Sequence, residues 1–215
     1  MRKALVLCGI VALALWAAPA YATPITDACP RLAGGTAGGE GIDPTYAATA
    51  ATAGGNFGCN VLITFNSNGS ITTTNPNPRG FYDAGGDDNM VGIINNTGAA
   101  INSVFLSSIG TDIFGFDGDG ACDPTFTVVG GANAPCGTTT SGYGHQGVTF
   151  SPIDNFSGTV NFAGGIAPGT ANWFSLEGPV ALDLTVTTGV PEPGSIVLLG
   201  SGLVGLVSLL RRKRV

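Results

Sequence analysis

The densest run of chemically capable residues is short. Asp112 is followed by Asp117-Gly118-Asp119-Gly120-Ala121-Cys122-Asp123. Oxygen ligands at alternating positions, with glycines that let the backbone wrap, are what Ca²⁺ takes. Asp117, Asp119 and Asp123 are the residues a non-helical calcium loop would use. The run is not an EF-hand, because Ala121 stands at a ligand position and Val128 stands where the bidentate Glu would be. The flanking helices are missing too. The competing reading is an Asp-Gly turn between strands, its carboxylates accepting from local backbone N–H groups. Asp83, Asp87 and Asp88 admit the same two readings.

Catalysis finds little support. The single histidine, His145, is the only general base of the usual kind near neutral pH. It lies in Gly142-Tyr143-Gly144-His145-Gln146-Gly147, which reads as an exposed turn. No Gly-x-Ser-x-Gly elbow occurs, and no second histidine offers a metal cluster. A pair of carboxylates can cleave glycosides, but the sequence singles out no pair. The expectation is a non-enzymatic protein without catalytic residues and without a cofactor, calcium being the one ion with a case. Tyr82, Tyr143 and Trp173 are the aromatics that a sugar could stack on. For Trp173 a core position explains the residue better, since Phe174 and Leu176 flank it in an expected strand.

Charge narrows the partners. Of eight basic residues, Arg2 and Lys3 open the chain and Arg211, Arg212, Lys213 and Arg214 nearly close it. Residues 23–189 keep Arg31 and Arg79 against thirteen acidic residues, with no lysine. Such a surface repels phosphate backbones and excludes nucleic acid.

The elements that must carry these residues read as strands. Between 23 and 189 no stretch sustains a helical period. Short β-branched and aromatic runs recur between Gly, Asn, Asp and Pro clusters instead. Strands are expected at Val61–Phe65, Ser70–Thr74, Met90–Asn95, Ser103–Leu106, Ile113–Phe116, Thr125–Val129, Gly147–Phe150, Gly158–Phe162, Asn172–Leu176 and Ala181–Thr187. Their spacing predicts an all-β domain, an immunoglobulin-like β-sandwich. Residues 33–58, rich in Gly, Ala and Thr, read as a poorly packed loop.

Cysteine usage fits an oxidising compartment. Cys8 falls in the leader described below, which leaves Cys29, Cys59, Cys122 and Cys136. Three pairings are open. The sequential one, Cys29–Cys59 with Cys122–Cys136, closes the shorter loops and is favoured. A four-cysteine zinc site would want a Cys-x-x-Cys pair, and none occurs.

Both ends read as addresses. Arg2 and Lys3, an apolar stretch from Ala4 to Trp16, and Ala20-Tyr21-Ala22 make residues 1–22 a secretory signal peptide cut after Ala22. At the other end, Pro191-Glu192-Pro193 precedes an apolar segment from Ser195 to Leu210 and then Arg211-Arg212-Lys213-Arg214. Sixteen residues make about 24 Å of helix, and flanking arginines that snorkel extend that reach across a bilayer. The basic stop places the tail in the cytoplasm and the acidic domain outside.

Residues 190–215 resemble the PEP-CTERM sorting signal of Gram-negative bacteria, in which the three elements stand in this order at the C-terminus. The resemblance implies that Pro191, Glu192 and Pro193 form the motif read by the membrane enzyme exosortase. It implies inner-membrane anchoring, at least transiently, by helix 195–210, and a final place at the cell surface or in an extracellular matrix. Carriers of the signal typically accompany exopolysaccharide production. Residues 81–184 also resemble a block found in other such proteins, through Phe81-Tyr82-Asp83, Asn95-Asn96-Thr97-Gly98, the 113–120 run, Gly158-Thr159-Val160-Asn161-Phe162 and Trp173-Phe174-Ser175-Leu176-Glu177. That block implies a β-sandwich and brings no catalytic residues. The expected task is therefore that of a non-enzymatic surface or matrix protein associated with exopolysaccharide. The alternative is a carbohydrate- or surface-binding adhesin module, with a hydrolase third.

Overall fold

The computed structural model describes residues 27–37, 40–52, 55–121, 126–132, 143–178 and 185–188. The leader, the sorting tail with its 195–210 helix and basic stop, Cys122, Asp123, Cys136 and residues 181–184 lie outside the described residues.

The described residues are mostly strand, with one short helix. In order the elements are β1 (Leu32–Gly34), β2 (Thr36–Ala37), β3 (Glu40–Gly41), α1 (Pro44–Ala50), β4 (Val61–Phe65), β5 (Ile71–Thr74), β6 (Asp88–Asn95) and β7 (Ile101–Ser107). They continue with β8 (Thr127–Val128), β9 (Val148–Asp154), β10 (Ser157–Ile166), β11 (Thr170–Glu177) and β12 (Thr185–Thr188). Two four-stranded sheets dominate, ordered β12-β7-β10-β9 and β11-β6-β4-β5. Neighbours run antiparallel except β4 and β6, which pair in parallel. Among the described residues no helix is long and apolar enough to cross a membrane.

Alternation along the strands explains the layering. Val104 and Leu106 of β7, Val160 and Phe162 of β10, and Val148 of β9 point to one core. Val61, Ile63 and Phe65 of β4, Val91 and Ile93 of β6, and Phe174 and Leu176 of β11 meet them there from the other sheet. Each fully buried aliphatic or aromatic side chain contributes roughly 1.5–3 kcal/mol. The second sheet is apolar on its other face as well. Leu62, Met90, Ile94 and Trp173 turn away from the first core into a second one, so β6 is buried along its whole length.

That second core corrects the reading of residues 33–58 as a poorly packed loop. Leu32, Tyr46 and Ala50 are buried against it. Asp43 makes the helix possible: its Oδ1 accepts from Thr45 N and Tyr46 N, both at 2.8 Å, and Pro44 supplies a preset φ at the first position. The Tyr46 hydroxyl then donates to Gly58 O at 2.8 Å. The Cys29–Cys59 disulfide forms as expected, with Cα atoms 5.3 Å apart. It lies against β6 at Gly92, where a Cβ would come within 2.5 Å of Cys59 Sγ and 2.8 Å of Cys29 Sγ. Only glycine leaves room there.

Two expected strands change. Ile113–Phe116 is not a strand. Ile113 and Phe114 are buried in the first core, but their N–H groups both donate to Asn155 O, at 2.8 and 2.9 Å, instead of entering a ladder. The stretch Thr125–Val129 is reduced to the two residues of β8, with Thr125 outside the described residues.

Candidate functional site

Strand pairing builds the site. β11 runs antiparallel to β6 in a register that sets Glu177 directly opposite Asp88. Both are buried, at 7% and 2% exposure. Like charges facing each other across a ladder repel, all the more out of water. Gly178 ends the strand at φ 71° beside the 111–115 loop, where its missing Cβ would run into Asp112 O.

A loop and a tyrosine complete the cluster. Phe116 stacks between Tyr143 and Phe150, ring centroids 4.5 and 4.8 Å away, and Phe114 meets Phe116 edge-on. These contacts fix the 111–121 loop so that Asp117 and Asp119 reach the Tyr143 hydroxyl. Tyr143 is held by its own carbonyl, which accepts from Ser175 N at 2.6 Å. Oxygens of Asp88, Asp119 and Glu177 lie within 4.8 Å of one another.

The site is rich in acceptors and poor in donors. The Tyr143 hydroxyl has three carboxylate oxygens around it, Asp117 Oδ1 at 3.1 Å, Asp119 Oδ1 at 2.9 Å and Glu177 Oε1 in close contact. A phenol has one proton to give. Asp117 N donates to Glu177 Oε1 at 3.3 Å, and the Tyr82 hydroxyl donates to Asp88 Oδ2 at 2.6 Å. Asp88 Oδ1 is buried without a partner among the described residues. Neither basic residue of the domain helps. Arg79 pairs with Asp43 at 3.1 Å and lies over the Phe81 ring, while Arg31 sits 4.0 Å from Asp27.

Proton affinities respond accordingly. Burial, with the charges of Glu177 and Asp119 adding, pushes the Asp88 carboxyl up to about 9, although the Tyr82 hydrogen bond opposes it. Burial raises Glu177 to about 7 and Asp119 to about 6. Asp117 goes the other way, held low first by its hydrogen bond with Asp119. Tyr143 is raised well above an ordinary phenol, first by burial, and so stays a donor. The cluster can hold shared protons or a hard divalent cation.

Glu177 also lines an open cleft of about 480 Å³ with Asp87, Thr111 and Asp112. Asp112 Oδ2 accepts from Asn155 Nδ2 at 2.7 Å.

The structure sets Asp117 and Asp119 on one Tyr143 hydroxyl, while Asp123 lies outside the described residues. Asp88, which the sequence left open between a calcium ligand and a turn residue, lies in the cluster. Glu177 was missed, because no local spacing joins it to residues 58 and 89 positions earlier. Asp83 is a satisfied turn residue, accepting from Gly86 N at 2.6 Å and Asp88 N at 2.9 Å. His145 is half-buried rather than in an exposed turn, its ring 6.0 Å from Trp173 and its Nδ1 buried without a partner among the described residues. Tyr82 and Tyr143 are fully buried and present no face to a sugar, and Trp173 is core as expected. Pro191, Glu192, Pro193 and the Cys122–Cys136 pair lie outside the described residues.

Comparison with known proteins bears on the tail. Residues 189–214 match the PEP-CTERM protein-sorting motif. No curated protein matches the chain, and no solved structure does. The motif marks an exported protein that exosortase recognises and processes at the membrane.

Proposed function

We propose that this exosortase substrate is a non-enzymatic surface or extracellular-matrix protein, delivered by a cleaved signal peptide and held for processing by helix 195–210. Its acidic domain, an immunoglobulin-like β-sandwich in this reading, faces outward and associates with exopolysaccharide through bridging divalent cations. The observation that carries the reading is the sorting motif at 189–214. A lysine-free domain with thirteen acidic residues supports the second part, since such a surface stays soluble and gathers divalent cations. The adhesin alternative is weakened, because Tyr82, Tyr143 and Trp173 are all buried.

Replacing Pro191, Glu192 and Pro193 together by alanine tests the first part. The variant is expected to stay unprocessed in the membrane fraction, and maturation like the parent's would sink the reading. Screening the processed protein on a glycan array, with calcium and with chelator, tests the second. Broad calcium-dependent retention on anionic glycans is expected. Tight binding of one glycan, abolished by a single aromatic substitution, would favour the adhesin, and turnover of a glycan would revive the hydrolase.

A further inference from the structure

We propose that Asp88, Asp119 and Glu177 form a calcium site that ties the 111–121 loop to the paired strands β6 and β11, with Asp117 and the Tyr143 hydroxyl beside it. This is a built site within the fold, distinct from diffuse attraction at the surface.

Four observations converge on it. Oxygens from all three carboxylates lie within 4.8 Å of one another. Two ligands of one Ca²⁺, each at 2.3–2.6 Å, stand no more than roughly 5 Å apart, so a single ion can touch all three. Asp88 is 2% exposed, its Oδ2 is taken by Tyr82, and its Oδ1 is buried with no partner among the described residues. A buried carboxylate oxygen left alone is costly, and a cation is the partner it lacks. Asp88 and Glu177 also face each other across the β6–β11 ladder, while Arg31 and Arg79 are paired with Asp27 and Asp43. Among the described residues neither carboxylate has a basic side chain paired with it.

The donor set selects the ion. Three carboxylates and a phenol are hard oxygen ligands, with neither the sulfur nor the imidazole that zinc or copper prefers. Mg²⁺ demands ligands at about 2.0–2.1 Å in near-ideal octahedral geometry and keeps much of its water. Carboxylates fixed on two strands and a loop suit the looser, larger shell of Ca²⁺. Glu177 lines an open cleft as well, so one of the three carboxylates borders on solvent. An exported protein meets calcium at concentrations where sites of about 10⁻⁴–10⁻³ M dissociation constant fill.

The test uses the full chain in detergent, stripped with chelator and then titrated with Ca²⁺ or Mg²⁺ at constant ionic strength. Calcium is expected to raise the unfolding midpoint saturably and magnesium to do so much less. Terbium should luminesce on tyrosine excitation, through Tyr143, and calcium should displace it. Asp88→Asn and Glu177→Gln are expected to weaken calcium about tenfold or more, while melting in chelator no lower than the parent. Asp119→Asn, on the loop rather than in a strand, repeats the test should a strand variant not fold. Asp154→Asn, on an exposed hairpin, should leave the calcium response unchanged. The proposal is overturned if the parent shows no saturable calcium response, or if that response survives undiminished in these variants. A cluster held together by shared protons alone would give the first of those results.

Discussion

Strand β6 is buried from end to end and carries a polar residue at each terminus, and the two termini are closed in different ways. At Asn95 the side-chain amide donates to Ala99 O at 2.8 Å and Ile166 O at 2.7 Å. Its Oδ1 accepts from Thr97 N and Thr97 Oγ1. At Asp88 one oxygen accepts from Tyr82 and the other has no partner among the described residues. Across the ladder Asn95 meets Thr170, whereas Asp88 meets Glu177. An amide brings donors and acceptors together, so the protein can satisfy it from its own backbone. A carboxylate brings acceptors only, and in a domain with two arginines, both engaged elsewhere, it must find a proton or an ion.

If that contrast is right, adding charge at one end should be severe and removing it at the other mild. Asn95→Asp sets a buried carboxylate against two carbonyl oxygens and is expected to cost about 3–5 kcal/mol. Denaturant unfolding measures it, and a cost below about 1 kcal/mol would erase the distinction between the termini. The middle of the strand comes next. Replacing Cys29 and Cys59 by serine opens a loop with a sequence separation of 30 and should cost about 3–4 kcal/mol. Gly92→Ala, pressed against both sulfurs, should cost about 1–3 kcal/mol in the oxidised protein. With both cysteines replaced by alanine, that penalty should shrink.

The same contrast explains what could be read from the sequence. Val61–Phe65 was legible to the residue, since an unbroken β-branched and aromatic run has few alternatives. The cores of β6, β7, β10 and β11 were legible for the same reason, with ends that pattern reading misses by a residue or two, and by four at the C-terminal end of β10. Ile113–Phe116 looked like a strand because burial and strand pairing share an apolar signature, and only its hydrogen bonds to Asn155 tell them apart. α1 was hidden because seven residues rich in Thr and Ala show no helical period. Its Asp43-Pro44 start was the one signal that could have found it. Asp117 and Asp119 could be seen as a cluster because they are near neighbours. Glu177 could not, because its partnership with Asp88 is a matter of register between strands 89 residues apart.

The smallest expected effect is also the most specific to the acidic terminus. With calcium chelated, the cluster keeps its protons to about 9 at Asp88, 7 at Glu177 and 6 at Asp119, whereas an unfolded carboxylate releases its proton near pH 4. Between those limits the folded chain binds more protons than the unfolded one, so stability falls as pH rises. The interacting carboxyls titrate as a unit, and the slope belongs to the cluster rather than to any one member. Asp117 and Asp154 are held low and act in the opposite sense, losing their contribution only as pH falls through the acid range. Stripped protein should therefore melt highest near pH 5 and progressively lower toward pH 9. Asp88→Asn should flatten the upper part of that decline, and calcium should flatten it by holding the carboxylates ionised. Substitutions at the Asn95 end that introduce no titratable group should leave the slope alone. Melting midpoints that rise from pH 5 to pH 9 in chelator would mean the cluster is ionised and relieved by something else, and the comparison between the two termini would fail.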